Sequence, residues 1–393
     1  PEPADEAADD APSPDPGTDP GEPEPGSGAT DGSDAASGGG PEQDGDPERG
    51  DGEGPGTEPT VDRSPNAEDP DTVPDPDPAP DEVVVQTEYS AVSPGTERLV
   101  YEGDVPETLA ADTTIEALED DDFSYPISYG YACVGTVETA GSNVDADWEG
   151  RTVFSFQPHV SRFVTSPSAL VRVPPAVSAV DAALIPSVET AVNFVMDGRP
   201  MVGEQVVVLG QGVVGLLTTQ LLSRHPLRGL WTVEPSPHRR AVSESLGGTA
   251  VASSSDLELG TGHDASGPDA SRADLVFELT GKPSVLNDAV QRTAFSGRVV
   301  VGSWYGTKSA PIDLGRHFHR SRMEIISSQV STIDPSLRGR WTKERRMSVV
   351  LDLLPTLTPS DLVSQTFSLD DAPAAYAQLS TDPSMLQPVL QHN

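Results

Sequence analysis

Cysteine is almost absent: Cys133 is the single one in 393 residues, which excludes an intrachain disulfide framework and a cysteine-rich zinc lobe. Lysine is nearly as scarce, at Lys282, Lys308 and Lys343 only, so arginine supplies most of the positive charge. No apolar run approaches the roughly 20 residues that cross a bilayer, and no basic segment followed by an apolar one opens the chain. A cytoplasmic protein with no membrane partner is expected. Positive charge itself is short, with 24 Lys and Arg against 63 Asp and Glu. A surface of that sign repels phosphate backbones, so nucleic acid is not an expected partner. The basic stretches HRR at 238–240 and RGRWTKERR at 338–346 are local and read as solvated helix faces.

What the chain has in excess is acid. Residues 1–80 hold 24 Asp and Glu and two Arg, interleaved with Pro, Gly, Ser and Ala. Such a segment buries too little apolar surface to offset the entropy of ordering it, and a disordered acidic tail is expected over 1–78. The remainder, 81–393, is acidic too, with 39 acids against 22 basic residues. An acidic, lysine-poor surface suits a cytoplasm of very high salt, where screening suppresses self-repulsion. A salt-adapted, haloarchaeal source is therefore expected.

Order begins near position 80 with DEVVVQTEYSAVS, a β-branched run. Strand-like pieces follow at YACVGTVETAG, RTVFSF and HVSRFVTS. The pattern then changes. PPAVSAVDAALIPSVETAVNFVMDG has the spacing of helices joined by a turn at Pro186. From Gln205 apolar strands alternate with helix-length segments, which implies a parallel sheet covered on both faces. MEIISSQVS reads as a strand and ERRMSVVLDLL as a helix ending before Pro355. SLDDAPAAYAQLS reads as a helix capped by Ser368, and the closing PVLQ as a strand returning to the β-rich part.

QVVVLGQGVVGLLTTQLL carries Gly210, Gly212 and Gly215 as GxGxxG, with Val213 opening the helix. After an apolar strand and before an apolar helix, each glycine has a role: the tight turn, close approach of a pyrophosphate, and helix packing on the strand. Glu234 ends LWTVE, 19 residues beyond Gly215, the spacing at which a carboxylate accepts hydrogen bonds from an adenosine ribose. That acid would repel a 2′-phosphate and favours NAD over NADP, although Arg239 and Arg240 lie close by. Cys133, in PISYGYACVGTV, has no basic neighbour and reads as a small core residue.

These residues resemble the medium-chain dehydrogenase/reductase superfamily, which includes the zinc alcohol dehydrogenases. The carriers are GQGVVG, FELTG at 277–281 closing on Gly281, GRVVVGSWYG at 297–306, and FSLDDAPAAYAQL. YSAVSPGTERLVYEG and IPSVETAVNFV are similar to the subgroup named after bacteriochlorophyllide a dehydrogenase. The resemblance implies a Rossmann doubly wound parallel sheet inserted in a GroES-like β-rich catalytic domain. It divides the chain into a first catalytic part at 79–186, a nucleotide domain at 187–330 and a return at 331–393. It also implies a small-molecule substrate, a homodimer or homotetramer, and a nicotinamide flanked by Ser303 and Trp304.

Zinc members of that family carry a Cys, a Gly-His-Glu and a third Cys or acid. Here the first two places read Ser93 or Pro94 and Gly130-Tyr131-Ala132, and Glu189 stands near the third as a single carboxylate, so no zinc is expected. Charge on a carbonyl oxygen then falls to hydrogen-bond donors, with Tyr131 first and Ser93 second. Glu97 is read as a brace of its turn, and His159 as a lone, structural histidine. Family chains also open with a β-hairpin that the acidic tail lacks, which would leave an open sheet edge. The expected activity is hydride transfer between a nicotinamide and an alcohol or carbonyl compound. The same losses also fit a nucleotide-binding sensor or scaffold.

Overall fold

The computed structural model describes residues 77–392 except 107, 113, 120, 121 and 260–270. The acidic tail expected over 1–78 lies outside the described residues but for its last two. Ahead of the glycine motif come β1 (Val83–Ala91), α1 (Thr96–Glu102), β2 (Cys133–Ala140), β3 (Thr152–Ser155), β4 (Arg162–Thr165) and β5 (Val171–Arg172), then α2 (Ala179–Ala183) and α3 (Ile185–Gly198). The next group is β6 (Gln205–Leu209), α4 (Val213–Leu222), β7 (Gly229–Val233), α5 (Pro237–Ser245), β8 (Thr249–Val251), β9 (Ala273–Glu278), α6 (Leu286–Arg292), β10 (Thr293–Val301) and β11 (Glu324–Ser327). The chain closes with α7 (Lys343–Leu357), β12 (Val363–Ser368), α8 (Ala372–Thr381) and β13 (Gln387–Gln391).

Two sheets result. The first runs β12-β13-β1-β2-β3-β5 with β4 also on β1. β1 pairs with β2 along one side, and with β4 and then β13 along the other. The expected open edge is therefore not at β1: residues 162–165 and strand β13 pair with the backbone groups on that side. As the sequence implied, β13 returns to the β-rich sheet.

The second sheet runs β11-β10-β9-β6-β7-β8 and its ladders are parallel. Its central strands are apolar on both faces. Val206 and Val208 pack with Phe194 of α3 and Leu222 of α4, while Val207 and Leu209 pack with Leu286 and Ala289 of α6. Helices thus cover both faces, and the chain order reverses between β6 and β9. In sheets of this kind the crevice at the carboxyl ends of those two strands receives ligands.

Two helix boundaries differ from expectation, both through proline. The break before α3 falls at Leu184, and Pro186 lies in the first turn, where its missing N–H would be unpaired anyway. α7 runs through Pro355 to Leu357 and closes at Thr358 in the left-handed region, with φ 44°. So near the helix end the proline removes little of the ladder. Among the described residues no helix is long and apolar enough to cross a membrane.

Candidate active site

The crevice begins where β6 ends. Gly210 has φ 92° and donates its N–H to the Val233 carbonyl at 2.9 Å. A Cβ on Gly215 would stand 2.1 Å from the Gly210 carbonyl oxygen, which is how closely α4 packs on the end of β6. A Cβ on Gly212 would meet nothing within 4 Å. The turn is therefore open in front of α4, and no side chain caps that helix, leaving its first N–H groups free for an anion. Val213 is the first residue of α4 and turns its side chain into the core.

Glu234, 8% exposed, follows β7. Its Oε2 accepts the Gln211 N–H at 3.0 Å and its Oε1 the Ser236 N–H at 2.9 Å, which fixes the carboxylate at the glycine turn. The neighbouring arginines stay beside this acid, Arg239 within its electrostatic reach, while both donate to backbone carbonyls. Arg239 donates to the Pro383 and Met385 carbonyls, both at 2.9 Å, and Arg240 to those of Glu234 and Pro235.

Across the crevice Gly281 donates its N–H to Ser303 Oγ at 2.9 Å, so the structure brings these two predicted residues together. Trp304, 38% exposed, stands 5.9 Å from the Phe123 ring centre. Phe123 lies 5.6 Å from Tyr129, and Tyr129 6.2 Å edge-on from Tyr131. This ladder of rings, with Phe123 buried at 1% exposure, links the segment after β10 to the segment before β2 and so connects Trp304 to Tyr131 through packed aromatic contacts. The Tyr131 phenol interacts with the side chains of Ser93 and Thr96; burial, with Glu97 adding, pushes its pKa up to about 12. It therefore keeps its proton, and can donate it in a hydrogen bond, throughout the neutral range.

Beneath Tyr131 lies a buried cluster that the sequence did not announce. Glu97 is 2% exposed and takes three donors: the Ser93 N–H on Oε1 at 2.7 Å, and His159 Nε2 and the Tyr376 hydroxyl on Oε2 at 2.8 and 2.5 Å. It braces its turn, as read from the sequence, and does more. His159 Nδ1 meets Ser90 Oγ at 2.7 Å, Ser90 Oγ meets His392 Nε2 at 2.8 Å, and His392 Nδ1 lies 3.4 Å from Ser161 Oγ. Gly130, with φ 118°, admits this arrangement, since a Cβ there would come within 2.7 Å of the His159 ring. His159 is thus not a lone histidine. Its partners stand 62 and 69 residues away and those of His392 231 and 302, so no spacing rule could have joined them.

The donor set does not match a zinc site. Both His159 nitrogens are engaged, and Cys133 is fully buried with its thiol on the Pro158 carbonyl at 3.0 Å; burial pushes that thiol up to about 12. Glu189 is held by Arg346, whose Nε and Nη2 reach its Oε1 at 3.0 and 2.9 Å. Among the described residues no group of three or more His, Cys, Asp or Glu is placed to hold a metal ion.

No protein-family model matches the chain. Among characterised proteins it is 23% identical to D-guloside 3-dehydrogenase of Escherichia coli (strain K12), over 63% of this chain and 72% of that one. It is 22% identical to 2-desacetyl-2-hydroxyethyl bacteriochlorophyllide A dehydrogenase of Cereibacter sphaeroides, over 79% and 90%. Among solved structures it superposes on 2R,3R-butanediol dehydrogenase from Bacillus subtilis with a TM-score of 0.63 at 20% identity, covering 82% of this chain and 95% of that one. A short chain alcohol dehydrogenase from E. coli CFT073 complexed with NADH superposes at 0.61, with 17% identity and coverages of 80% and 93%. The relatives and structural neighbours are alcohol dehydrogenase-like oxidoreductases, and the fold of this chain is theirs: a Rossmann sheet joined to a GroES-like one.

Proposed function

We propose that the protein is a zinc-independent, NAD(P)-dependent oxidoreductase that transfers hydride between a nicotinamide and an alcohol or carbonyl carbon of a small molecule. The observation that carries the reading is the glycine turn, open at Gly212 in front of α4 at the end of β6, on the same sheet whose strand β10 leads to Trp304 and, through the Phe123 and Tyr129 rings, to the Tyr131 phenol. The dinucleotide, when bound, supplies or accepts the hydride. The chain does the rest. The first turn of α4 receives the diphosphate, and Glu234, anchored at the turn, accepts from the adenosine ribose. NAD is favoured because Glu234 opposes a 2′-phosphate, while Arg239 and Arg240 each donate to two backbone carbonyls. Gly281, Ser303 and Trp304 border the nicotinamide. Tyr131, assisted by Ser93, donates to the carbonyl oxygen as negative charge develops there, the role a metal ion would otherwise fill.

NADH oxidation against a panel of aldehydes and ketones, with a strong chelator present, tests this reading. Turnover unaffected by the chelator is expected, and Tyr131→Phe should lower kcat by about 10²-fold with little change in NADH affinity. Saturable NADH binding without turnover on any member of the panel would instead support a nucleotide sensor.

A further inference from the structure

We propose that Ser161, His392, Ser90, His159 and Glu97 form a buried proton relay that feeds the Tyr376 hydroxyl, which delivers one proton per turnover to the substrate oxygen polarised by Tyr131. The proposal rests on the hydride-transfer reading above.

The geometry is a series without a gap. Starting at Tyr376, whose phenol lies within electrostatic reach of that of Tyr131, the contacts are Tyr376 Oη to Glu97 Oε2 at 2.5 Å, Glu97 Oε2 to His159 Nε2 at 2.8 Å, His159 Nδ1 to Ser90 Oγ at 2.7 Å, Ser90 Oγ to His392 Nε2 at 2.8 Å, and His392 Nδ1 to Ser161 Oγ at 3.4 Å. The inner members, Glu97, Ser90 and His392, are buried, whereas Tyr376 and Ser161 at the two ends are partly exposed. Six side chains from well-separated parts of the sequence converge on this line. Each interior link, imidazole, hydroxyl, imidazole, both donates and accepts. In one polarity Ser161 donates to His392, His392 to Ser90, Ser90 to His159 and His159 to Glu97. Shifting every proton one place along moves a net proton from Ser161 to Glu97 Oε2 and leaves both imidazoles neutral.

The step balances. The hydride reduces the carbonyl to an alkoxide, Tyr376 gives that oxygen its proton, and the phenolate left behind takes the proton arriving on Glu97. Ser161 is refilled from water. The groups facing Glu97 are His159, Tyr129, Tyr131, Tyr376 and Cys133. Burial raises the phenols and the thiol, so they hold their protons at neutral pH. Burial, with His159 adding, holds His392 down at about 4, in keeping with a link that never needs to carry charge.

Ser90→Ala cuts the line between the two imidazoles, and Ser90→Thr restores a hydroxyl. In NADH-dependent carbonyl reduction, Ser90→Ala should lower kcat by about 10²-fold and enlarge the solvent deuterium isotope effect, with KM for NADH unchanged and Ser90→Thr recovering most of the loss. A folded Ser90→Ala protein with wild-type kcat and isotope effect overturns the relay while leaving hydride transfer intact. If Ser90→Ala does not fold, His392→Asn is read instead, and the same two outcomes decide. Wild-type protein that binds NADH but never oxidises it removes the hydride-transfer reading and the relay together.

Discussion

Gly212 and Gly215 are three positions apart in one motif and are glycine for opposite reasons. At Gly215 the space is filled by the backbone of Gly210; at Gly212 the space is empty, and the backbone, with φ −72° and ψ −176°, is one that alanine adopts freely. Gly215→Ala should therefore push α4 off β6, costing about 1–3 kcal/mol of stability as overpacked cores do. Gly212→Ala should melt with the wild type yet bind NADH about 10-fold or more weakly, because its methyl group stands where the diphosphate approaches. Thermal denaturation and a fluorescence titration with NADH, done on both variants, separate the two roles. Equal melting losses would show that neither glycine is kept for a ligand. The packing role of Gly215 was legible in the spacing, because a short turn between strand and helix is a local structure, and the ligand role proposed for Gly212 rests on that same spacing.

Between elements the strongest polar tie is Arg346 of α7, 1% exposed, which meets Glu189 and Asn193 of α3 and the Val330 and Thr332 carbonyls beyond β11. Asn193 continues the network to Asp197 and Ser328. Burial raises the Glu189 pKa, with Arg346 opposing, so the pair is held ionised only while both members are present. Arg346→Met should cost about 3–5 kcal/mol by leaving a buried carboxylate alone, and adding Glu189→Leu should recover most of it. Chemical denaturation of the single and double variants measures this, and a single variant as stable as wild type would show that the pair contributes nothing. The sequence placed Glu189 near a metal position by family likeness alone. Its partner lies 157 residues away, beyond any local pattern.

At the scale of the whole molecule, charge is the dominant sequence feature: net −39 over the chain, and still 39 acids to 22 basic residues over 81–393. Self-repulsion of that size is relieved by screening, which at molar salt confines each charge to about 3 Å. We propose salt adaptation on this ground. Melting temperature should climb as potassium chloride is raised from 0.1 M to the molar range, and should climb less in an equally excluded neutral osmolyte. A melting temperature indifferent to salt would set the proposal aside. The same scale explains the sheet edge. The sequence raised the prospect of an exposed β1, but β4 and β13 occupy that side, a pairing between strands too far apart in sequence to read from pattern.

By itself the sequence determined what is local or additive: the charge, the strands and helices that alternate after Gln205, the glycine turn and the acid that follows β7. Short-range sterics and hydrophobic periodicity act within a few residues, so a linear reading captures them. Only the tertiary structure decided which side chains meet. It joined Trp304 to Tyr131 through two rings, tied Arg239 to the Pro383 and Met385 carbonyls, and set His159 and Tyr376 on one oxygen of Glu97. Those contacts come from sheet pairing and from the return of the chain's last strand. They depend on where distant segments come to rest, which no spacing along the chain encodes.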